Sequence, residues 1–208
     1  MLGGVPGVAP GRVVVIGGGV AGLNSAVIAL GMGADVTVFD RSISRLQYID
    51  TVYRGGIKTL VASKHAIERE VKLADLVIGA VLVHGAKAPK LVSNALVSQM
   101  KSGSVLVDIA IDQGGCFEDS KPTTHAEPTY KVHNSIFYCV ANMPGAVPVA
   151  STYALTNATL PFALSLANNG WEAACAMDKN LAKGLNVHDG KIYYSAVAEA
   201  HGYTSTQL

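Results

Sequence analysis

Residues 12–22 read RVVVIGGGVAG, and this stretch decides the fold. Residues 12–16 form a short, mostly apolar run, which is typical of a parallel strand buried on both faces. The glycine spacing GxGxxG of residues 17–22 follows at once, and the helical pattern of residues 23–32 comes directly after it. A strand, this spacing and a helix in that order predict a turn that holds a dinucleotide pyrophosphate at a helix N-terminus. A plain strand-to-helix turn is the alternative interpretation.

Each glycine of this loop has a separate expected role. Gly17 permits the tight turn, and Gly19 allows the backbone to approach a pyrophosphate. Gly22 allows the helix and the strand to pack closely together. The first turn of the helix then offers free N–H groups to the anion.

A carboxylate follows the second predicted strand at the position where a ribose is expected. Asp40 lies 18 residues after Gly22. A carboxylate about 20 residues beyond the glycines accepts hydrogen bonds from ribose hydroxyls and repels a 2′-phosphate, so the chain is predicted to prefer NAD to NADP. Arg41 and Arg45 oppose this preference because arginines accept phosphate. Arg45 is placed either to lie along the adenine or to pair with Asp40, and a solvated surface carboxylate is the alternative for Asp40.

Strands and helices alternate as far as residue 140, which predicts a Rossmann-type doubly wound α/β fold with a parallel six-stranded sheet. We predict a dinucleotide-binding domain over residues 1–148 and a helical segment of a second domain over residues 149–208. The predicted strands are residues 12–16, 35–39, 57–61, 76–80, 104–109 and 136–140, with no strand after the sixth. The predicted helices are residues 23–32, 43–53, 64–73, 89–100, 153–167 and 171–183.

The composition excludes several classes of protein. The chain has 208 residues, of which 50% are hydrophobic, and a formal net charge of +1. These values exclude a disordered chain and argue against nucleic acid binding. No apolar run reaches the ~20 residues of a membrane-spanning helix, and residues 1–6 do not read as a secretory signal. Three cysteines without a CxxC pair predict neither disulfides nor a metal site, so we expect a cytoplasmic protein.

Polar side chains follow the later strands, where ligands of such sheets bind. Asp108 is expected to be buried with the fifth strand, whereas Asp112 lies beyond it, at the nicotinamide end of the cleft. There Asp112 is suited to move protons or orient an amine, and an Asx turn before Gly114-Gly115 is the alternative. Asn142 is suited either to bond a carboxamide or to cap a turn. Of the six histidines, only His84 lies in a loop on the cofactor side.

Several longer motifs together resemble one family, the NAD-dependent L-alanine dehydrogenases, with the transhydrogenase α-subunit as a more distant relative. The motifs are residues 2–8 (LGGVPGV), 17–22, 80–83 (AVLV), 85–91 (GAKAPKL), 108–116 (DIAIDQGGC), 140–144 (VANMP) and 152–159 (TYALTNAT). The resemblance covers essentially the whole chain and is far more specific than the glycine spacing alone. It implies reversible oxidative deamination of L-alanine to pyruvate and ammonia, with NAD accepting the hydride.

The resemblance also implies roles for particular residues. Asp112 corresponds to an acid implicated in catalysis, and Asn142 lies near the substrate, so we predict these two as catalytic. Asp40 corresponds to the ribose-binding acid, Arg45 to a basic residue beside the adenosine, and Lys121 to a basic residue that contacts NAD. The full predicted NAD-binding set is Gly17, Gly19, Val20, Ala21, Gly22, Asp40, Arg45, Val81, Leu82, Ile109, Ala110, Ile111, Asp112, Lys121, Val140, Ala141, Asn142 and Met143.

One departure from the family pattern affects the whole chain. The resemblance implies that the arginine and lysine that hold the alanine carboxylate, and the histidine that acts as acid and base, precede the region matched here. We therefore expect the C-terminal portion of such an enzyme, forming a homo-oligomer and using alanine or pyruvate only when an N-terminal domain completes it. The alternative is a non-catalytic NAD-binding module, or a transhydrogenase-like subunit that acts with a separate partner chain.

Overall fold

The computed structural model of the chain describes residues 1–82 and 88–207, so His84 lies outside the described residues. The chain divides into two compact units, one formed by residues 1–82 and 88–143 and the other by residues 144–207. They are described separately below.

The first unit is built on a mostly parallel sheet with helices on both faces, which confirms the predicted Rossmann-type fold. Its strands are β1 (Arg12–Ile16), β2 (Asp35–Asp40), β3 (Lys58–Val61), β4 (Leu76–Gly79), β5 (Val105–Asp108), β6 (Thr129–Val132) and β7 (Ser135–Tyr138). Its helices are α1 (Val20–Gly31), α2 (Ile43–Tyr53), α3 (Lys64–Leu73) and α4 (Asn94–Val97). The strand order is β3-β2-β1-β4-β5-β7-β6, so the order reverses between β1 and β4, which is where such sheets bind ligands.

Apolar side chains of the parallel strands fill two cores, one on each face of the sheet. Val13 and Val15 of β1 pack on one face, against α1 and α2, and Val14 and Ile16 pack on the other, with α3. All four are at most 2% exposed. Successive side chains of β1 point to opposite faces of the sheet, and both faces are buried. This strand therefore reads as a continuous apolar run.

The prediction of six strands was wrong, because a seventh strand lies in what was read as a long loop. β6 pairs antiparallel with β7, and the two are joined by a tight turn in which His133 has a φ of 52°. Tyr130 of β6 stacks on Phe137 of β7, with ring centroids 5.4 Å apart. The polar residues Thr129 and Lys131 alternate outward, so this edge strand lacks the apolar run by which the buried strands were recognised.

The helix predicted from residue 89 to residue 100 was also wrong, since α4 contains only Asn94–Val97. Val92 instead forms a parallel bridge with Phe117, which holds the preceding segment extended. Ser93 then starts the helix, because its hydroxyl accepts a hydrogen bond from the N–H of Leu96.

The second unit is mainly helical. Its elements are α5 (Pro148–Met177), α6 (Lys179–Ala182), β8 (Val187–His188), β9 (Lys191–Ile192) and α7 (Ser195–Ala200). Gly170 interrupts α5 with a φ of 75°, so the helix predicted to begin at Trp171 follows a real break. That helix ends at Met177 rather than Lys183, because Asp178 caps α6 by accepting from the N–H of Asn180.

The short pair of strands in this unit corrects the expectation that no strand follows the sixth. β8 and β9 are antiparallel, and the turn between them places Asp189 and Gly190 at positive φ. Aspartate and glycine tolerate this conformation best, and the two-residue strands are too short to give a periodic signal. In the part of the chain that the structure describes, no helix combines the length and the apolar character needed to cross a bilayer.

Candidate dinucleotide-binding site

The predicted site residues of the first unit follow the carboxyl ends of five neighbouring parallel strands. In sheet order they come after β2, β1, β4, β5 and β7, all of which run in the same direction. The segments that carry them therefore emerge at one edge of the sheet, on both sides of the reversal between β1 and β4. This edge is where dinucleotides bind in sheets of this topology.

The glycine loop closes tightly between β1 and α1. Gly17 has a φ of 107°, and its N–H donates to the carbonyl of Phe39 at 2.8 Å. A Cβ at Gly17 would come within 2.6 Å of the Ala80 carbonyl oxygen, and one at Gly22 would overlap the carbonyl oxygen of Gly17. At Gly19, by contrast, an added Cβ would meet no atom of the described residues within 4 Å. The loop is thus closed toward the protein and open at Gly19, which suits the approach of a pyrophosphate to the backbone.

The carboxylate of Asp40 is tied to the glycine loop. Its two oxygens accept hydrogen bonds from the N–H groups of Gly18 and Ser42, each at 2.8 Å. The residue is half-buried, so it is not the solvated surface carboxylate of the alternative interpretation. A carboxylate has about four acceptor positions, so two remain for hydroxyl donors such as those of a ribose.

Arg45 lies beside the same loop and, among the described residues, makes no ion pair with Asp40, while its contact with an adenine stays a prediction. Its Nε donates to the carbonyl oxygen of Gly18, and its guanidinium carbon lies 5.1 Å from the centre of the Tyr48 ring. Ser42 positions Arg45 by capping α2, since its hydroxyl accepts from the Arg45 N–H. Arg45 therefore braces the turn, and an adenine would lie against a guanidinium that is already held.

Asp108, the last residue of β5, organises the loop that follows this strand. Its carboxylate is fully buried and accepts hydrogen bonds from the N–H of Ala110, Cys116 and Phe117 and from the hydroxyl of Ser120. Burying a carboxylate is tolerated when its oxygens are satisfied in this way. Asp108 thus fixes the path of the chain around Asp112, in agreement with the burial predicted for it.

Asp112 and Asn142 present their side chains at the open edge. Asp112 is exposed in a short 3₁₀ turn, Ile111–Gln113, and Asn142 is exposed four residues after the end of β7. Among residues 1–82 and 88–207, neither side chain makes a hydrogen bond or ion pair, so Asp112 forms no Asx turn and Asn142 caps nothing. Both are available to a ligand.

The other predicted contact residues differ in what they expose. Ala110, Ile111 and Val140 are at most 7% exposed, which leaves mainly their backbone for a ligand. Leu82 is 58% exposed, and Val81 is half-buried before the undescribed segment begins. Gly22 is buried. The remaining predicted contacts are half-buried or exposed, and they are Val20, Ala21, Ile109, Ala141 and Met143.

Lys121 lies in the segment between β5 and β6. The side-chain Nζ of Lys121 is 4.5 Å from the centre of the Tyr130 ring. The backbone N–H of Lys121 donates to the Tyr130 hydroxyl at 3.0 Å. The ammonium group is exposed at this position, so a cation–π contact holds it without removing it from solvent.

Two buried cysteines of the first unit, Cys116 and Cys139, are poor nucleophiles. Burial, together with the nearby charge of Asp108, raises the pKa of Cys116 to about 11. Burial also raises the pKa of Cys139. Because a thiolate is the nucleophilic form, neither thiol is a nucleophile at neutral pH. In the described ranges, no group of three or more histidine, cysteine or acidic residues is arranged to hold a metal ion.

Sequence reasoning missed two residues that shape this edge. The ammonium of Lys90 donates to the carbonyl oxygens of Gly114 and Phe117, and His125 contacts the carbonyl oxygen of Asn142. Both act on backbone carbonyls more than 15 residues away in the chain. No sequence motif records such contacts, because any residue type supplies the carbonyl.

Known proteins resemble this chain over nearly its whole length. A family model described as "Alanine dehydrogenase/PNT, C-terminal domain" matches residues 1–195. The alanine dehydrogenase of Mycolicibacterium smegmatis is 65% identical over 199 residues, which are 96% of this chain and 54% of that protein. A solved L-alanine dehydrogenase is 50% identical with a TM-score of 0.87, covering 97% of this chain and 55% of that chain.

A more distant structure shares the fold. A transhydrogenase from Sinorhizobium meliloti gives a TM-score of 0.72 at 23% identity, covering 91% of this chain and 51% of that chain. This chain thus spans about half the length of the proteins it matches.

Proposed function

The chain belongs to the alanine dehydrogenase/PNT C-terminal domain family, and from that premise we propose that it is the NAD-binding portion of an L-alanine dehydrogenase. The observation that carries the proposal is the glycine loop, closed at Gly17 and Gly22, open at Gly19 and joined to the carboxylate of Asp40. A pyridine nucleotide fits this arrangement, because its pyrophosphate meets free N–H groups at the start of α1 while its ribose meets an acceptor.

Different residues at the loop bind the pyrophosphate and the ribose. Gly19, Val20 and Ala21 offer backbone to the pyrophosphate, and Asp40 accepts from the adenosine ribose. Arg45 holds the loop in place through the Gly18 carbonyl. A nicotinamide held by these residues would supply the acceptor for the hydride of the alanine α-carbon.

The residues of the opposite side of the cleft act on the substrate and the nicotinamide. Asn142 orients the carboxamide or the substrate, and Asp112 holds or moves a proton during release of the amine. Asp108 keeps Asp112 in place by fixing the loop backbone. Val81, Leu82 and the segment from Val140 to Met143 complete the predicted contact surface.

We propose that residues 149–208 belong to a second domain, the substrate domain. An N-terminal domain supplies the groups that hold the alanine carboxylate. The second unit exposes many large apolar side chains, which supports a covering partner. On α5 these are Val149, Tyr153, Leu155, Leu160, Phe162, Leu164, Leu166 and Met177. We further propose a homo-oligomer in a reducing, cytoplasmic compartment, consistent with the three free cysteines.

The chain is expected to bind NADH at least about 100-fold more tightly than NADPH. A 2′-phosphate would meet the carboxylate of Asp40, and a like-charge contact of this kind costs several kcal/mol. Titration calorimetry with both cofactors measures the ratio. The Asp40→Ser variant is expected to lower the preference for NADH over NADPH more than tenfold. Asp50 is an exposed carboxylate on α2, and the control variant Asp50→Ser leaves this preference unchanged. Equal or tighter NADPH binding by the unmodified chain would mean that Arg41 and Arg45 override Asp40.

Asp112 is expected to face the nicotinamide end of the cleft in a complex with NAD. The reason is its place just past β5 on an exposed turn, held by the buried Asp108. A crystal structure with bound cofactor tests this assignment. An Asp112 carboxylate turned from the nicotinamide ring toward bulk solvent would remove it from the catalytic residues.

A further inference from the structure

Three successive hydrogen bonds join the segment before β6 to the segment after β7. The N–H of Thr123 donates to the Cys139 carbonyl at 2.9 Å, and the N–H of Ala141 donates to the Thr123 carbonyl at 3.3 Å. The third bond links Nε2 of His125 to the carbonyl oxygen of Asn142 at 2.7 Å. The first two are backbone bonds that any sequence could make. The third depends on one side chain.

The identity of the donor in this third bond follows from the chemistry of its partner. A carbonyl oxygen only accepts, so Nε2 of His125 carries the hydrogen and donates it. The bond therefore fixes the tautomer of a neutral ring as Nε2–H. His125 is exposed, so its side chain contributes nothing to the cores of the sheet.

The contact acts on the part of the chain that ends at the open edge. Asn142 is exposed, and its side chain has no hydrogen-bond partner among the described residues. The position from which it extends, the direction of its Cα–Cβ bond, is set by the orientation of its own backbone. The His125 bond fixes one end of that backbone unit, the carbonyl, from a segment 17 residues away.

We propose that His125 is a positioning residue for the nicotinamide end of the cofactor site, acting by holding the backbone of Asn142. It touches neither the adenosine end of the site nor the glycine loop, whose contacts come from α2 and β2. This inference rests on the proposed function, since it assumes that the segment after β7 receives the nicotinamide. It predicts that loss of the His125 side chain weakens binding of the nicotinamide end of the cofactor and leaves binding of the adenosine end unchanged.

The test compares two ligands on four proteins. NADH and ADP-ribose, which lacks the nicotinamide, are titrated calorimetrically into the unmodified chain and into His125→Ala, His125→Gln and His65→Ala. His65 is an exposed histidine on α3 and serves as the matched control. Thermal unfolding of each variant is recorded, and the fluorescence of bound NADH reports on the surroundings of the nicotinamide.

We expect His125→Ala to bind NADH about three- to tenfold more weakly, the range given by loss of one hydrogen bond, and to bind ADP-ribose unchanged. His125→Gln recovers part of the affinity, because its amide N–H can donate to the same carbonyl, and His65→Ala behaves like the unmodified chain. A change in bound NADH fluorescence accompanies the loss in His125→Ala. The unfolding temperature of His125→Ala falls by no more than about 2–4 °C, since the lost bond is a single exposed one.

Two other outcomes separate the inference from its premise. If His125→Ala binds NADH normally, or loses NADH and ADP-ribose equally, the positioning role is overturned while NAD binding stands. If the unmodified chain does not bind ADP-ribose, the proposed function fails, and the inference fails with it.

Discussion

Residues 1–208 produced on their own are expected to bind NADH but to reduce NAD with L-alanine at a rate at least about 10⁵-fold below that of a complete alanine dehydrogenase. The resemblance assigns the groups that hold the alanine carboxylate to a domain that precedes the matched region. Holding reactants in a productive geometry is worth roughly 7–11 kcal/mol, and without these groups that contribution is lost. Binding is retained because the glycine loop and Asp40 belong to one unit.

The measurement is formation of NADH from alanine at alkaline pH, with and without a separately produced N-terminal domain from a relative such as the Mycolicibacterium smegmatis enzyme. Activity restored only on mixing supports the proposed function. Full activity of the chain alone would show that the groups that hold the alanine carboxylate lie within residues 1–208. Binding of NADH with no activity in either case would favour the alternative of a non-catalytic NAD-binding module.

Replacing Gly22 with alanine is expected to destabilise the first unit by about 3 kcal/mol, the upper part of the range for forcing atoms into a packed site. The new Cβ would overlap the carbonyl oxygen of Gly17 and come within 3.2 Å of the Ala80 Cβ. Backbone atoms of Gly17 and the Cβ of Ala80 leave little room for adjustment. For a chain of this size the loss corresponds to a fall of about 6–12 °C in the unfolding temperature.

Gly19→Ala is the matched control, since it adds the same methyl group to the same loop. Gly19 has a φ of −65°, and in the part of the chain that the structure describes its Cβ would meet no atom within 4 Å. This variant should keep the unfolding temperature and lose NADH affinity more than tenfold, because the methyl group enters the space assigned to the pyrophosphate. The pair is measured by thermal unfolding and calorimetry. An unchanged unfolding temperature for Gly22→Ala would contradict the packing argument.

The parallel part of the fold was predictable because each buried strand carries its own signal. β1, β2 and β4 are short apolar runs bounded by glycine or charged residues, and the glycine loop follows β1 directly. The family resemblance, based on motifs spread along the chain, is confirmed by the relatives and by the family match. Where the local sequence states both the period and the boundary of an element, the prediction held.

Other features depend on partners that the local sequence does not contain. β6 was missed because its burial comes from stacking of Tyr130 on Phe137, a contact across the hairpin. The four donors to Asp108 lie 2 to 12 residues further on, in a loop without periodicity. The sequence showed that Asp108 would be buried, and only the three-dimensional path of the loop shows how its charge is satisfied.

The antiparallel β6 also covers β7 at one edge of the sheet. Without β6, β7 would be the last strand of the sheet, and its unpaired N–H and C=O groups would flank the apolar side chains of Ile136 and Phe137. Such an open edge is a template for pairing with another chain. β6 replaces it with a four-residue edge that carries the exposed Lys131. A chain shortened by deletion of residues 129–134 would expose β7 and become prone to aggregation, even with the nucleotide loop intact.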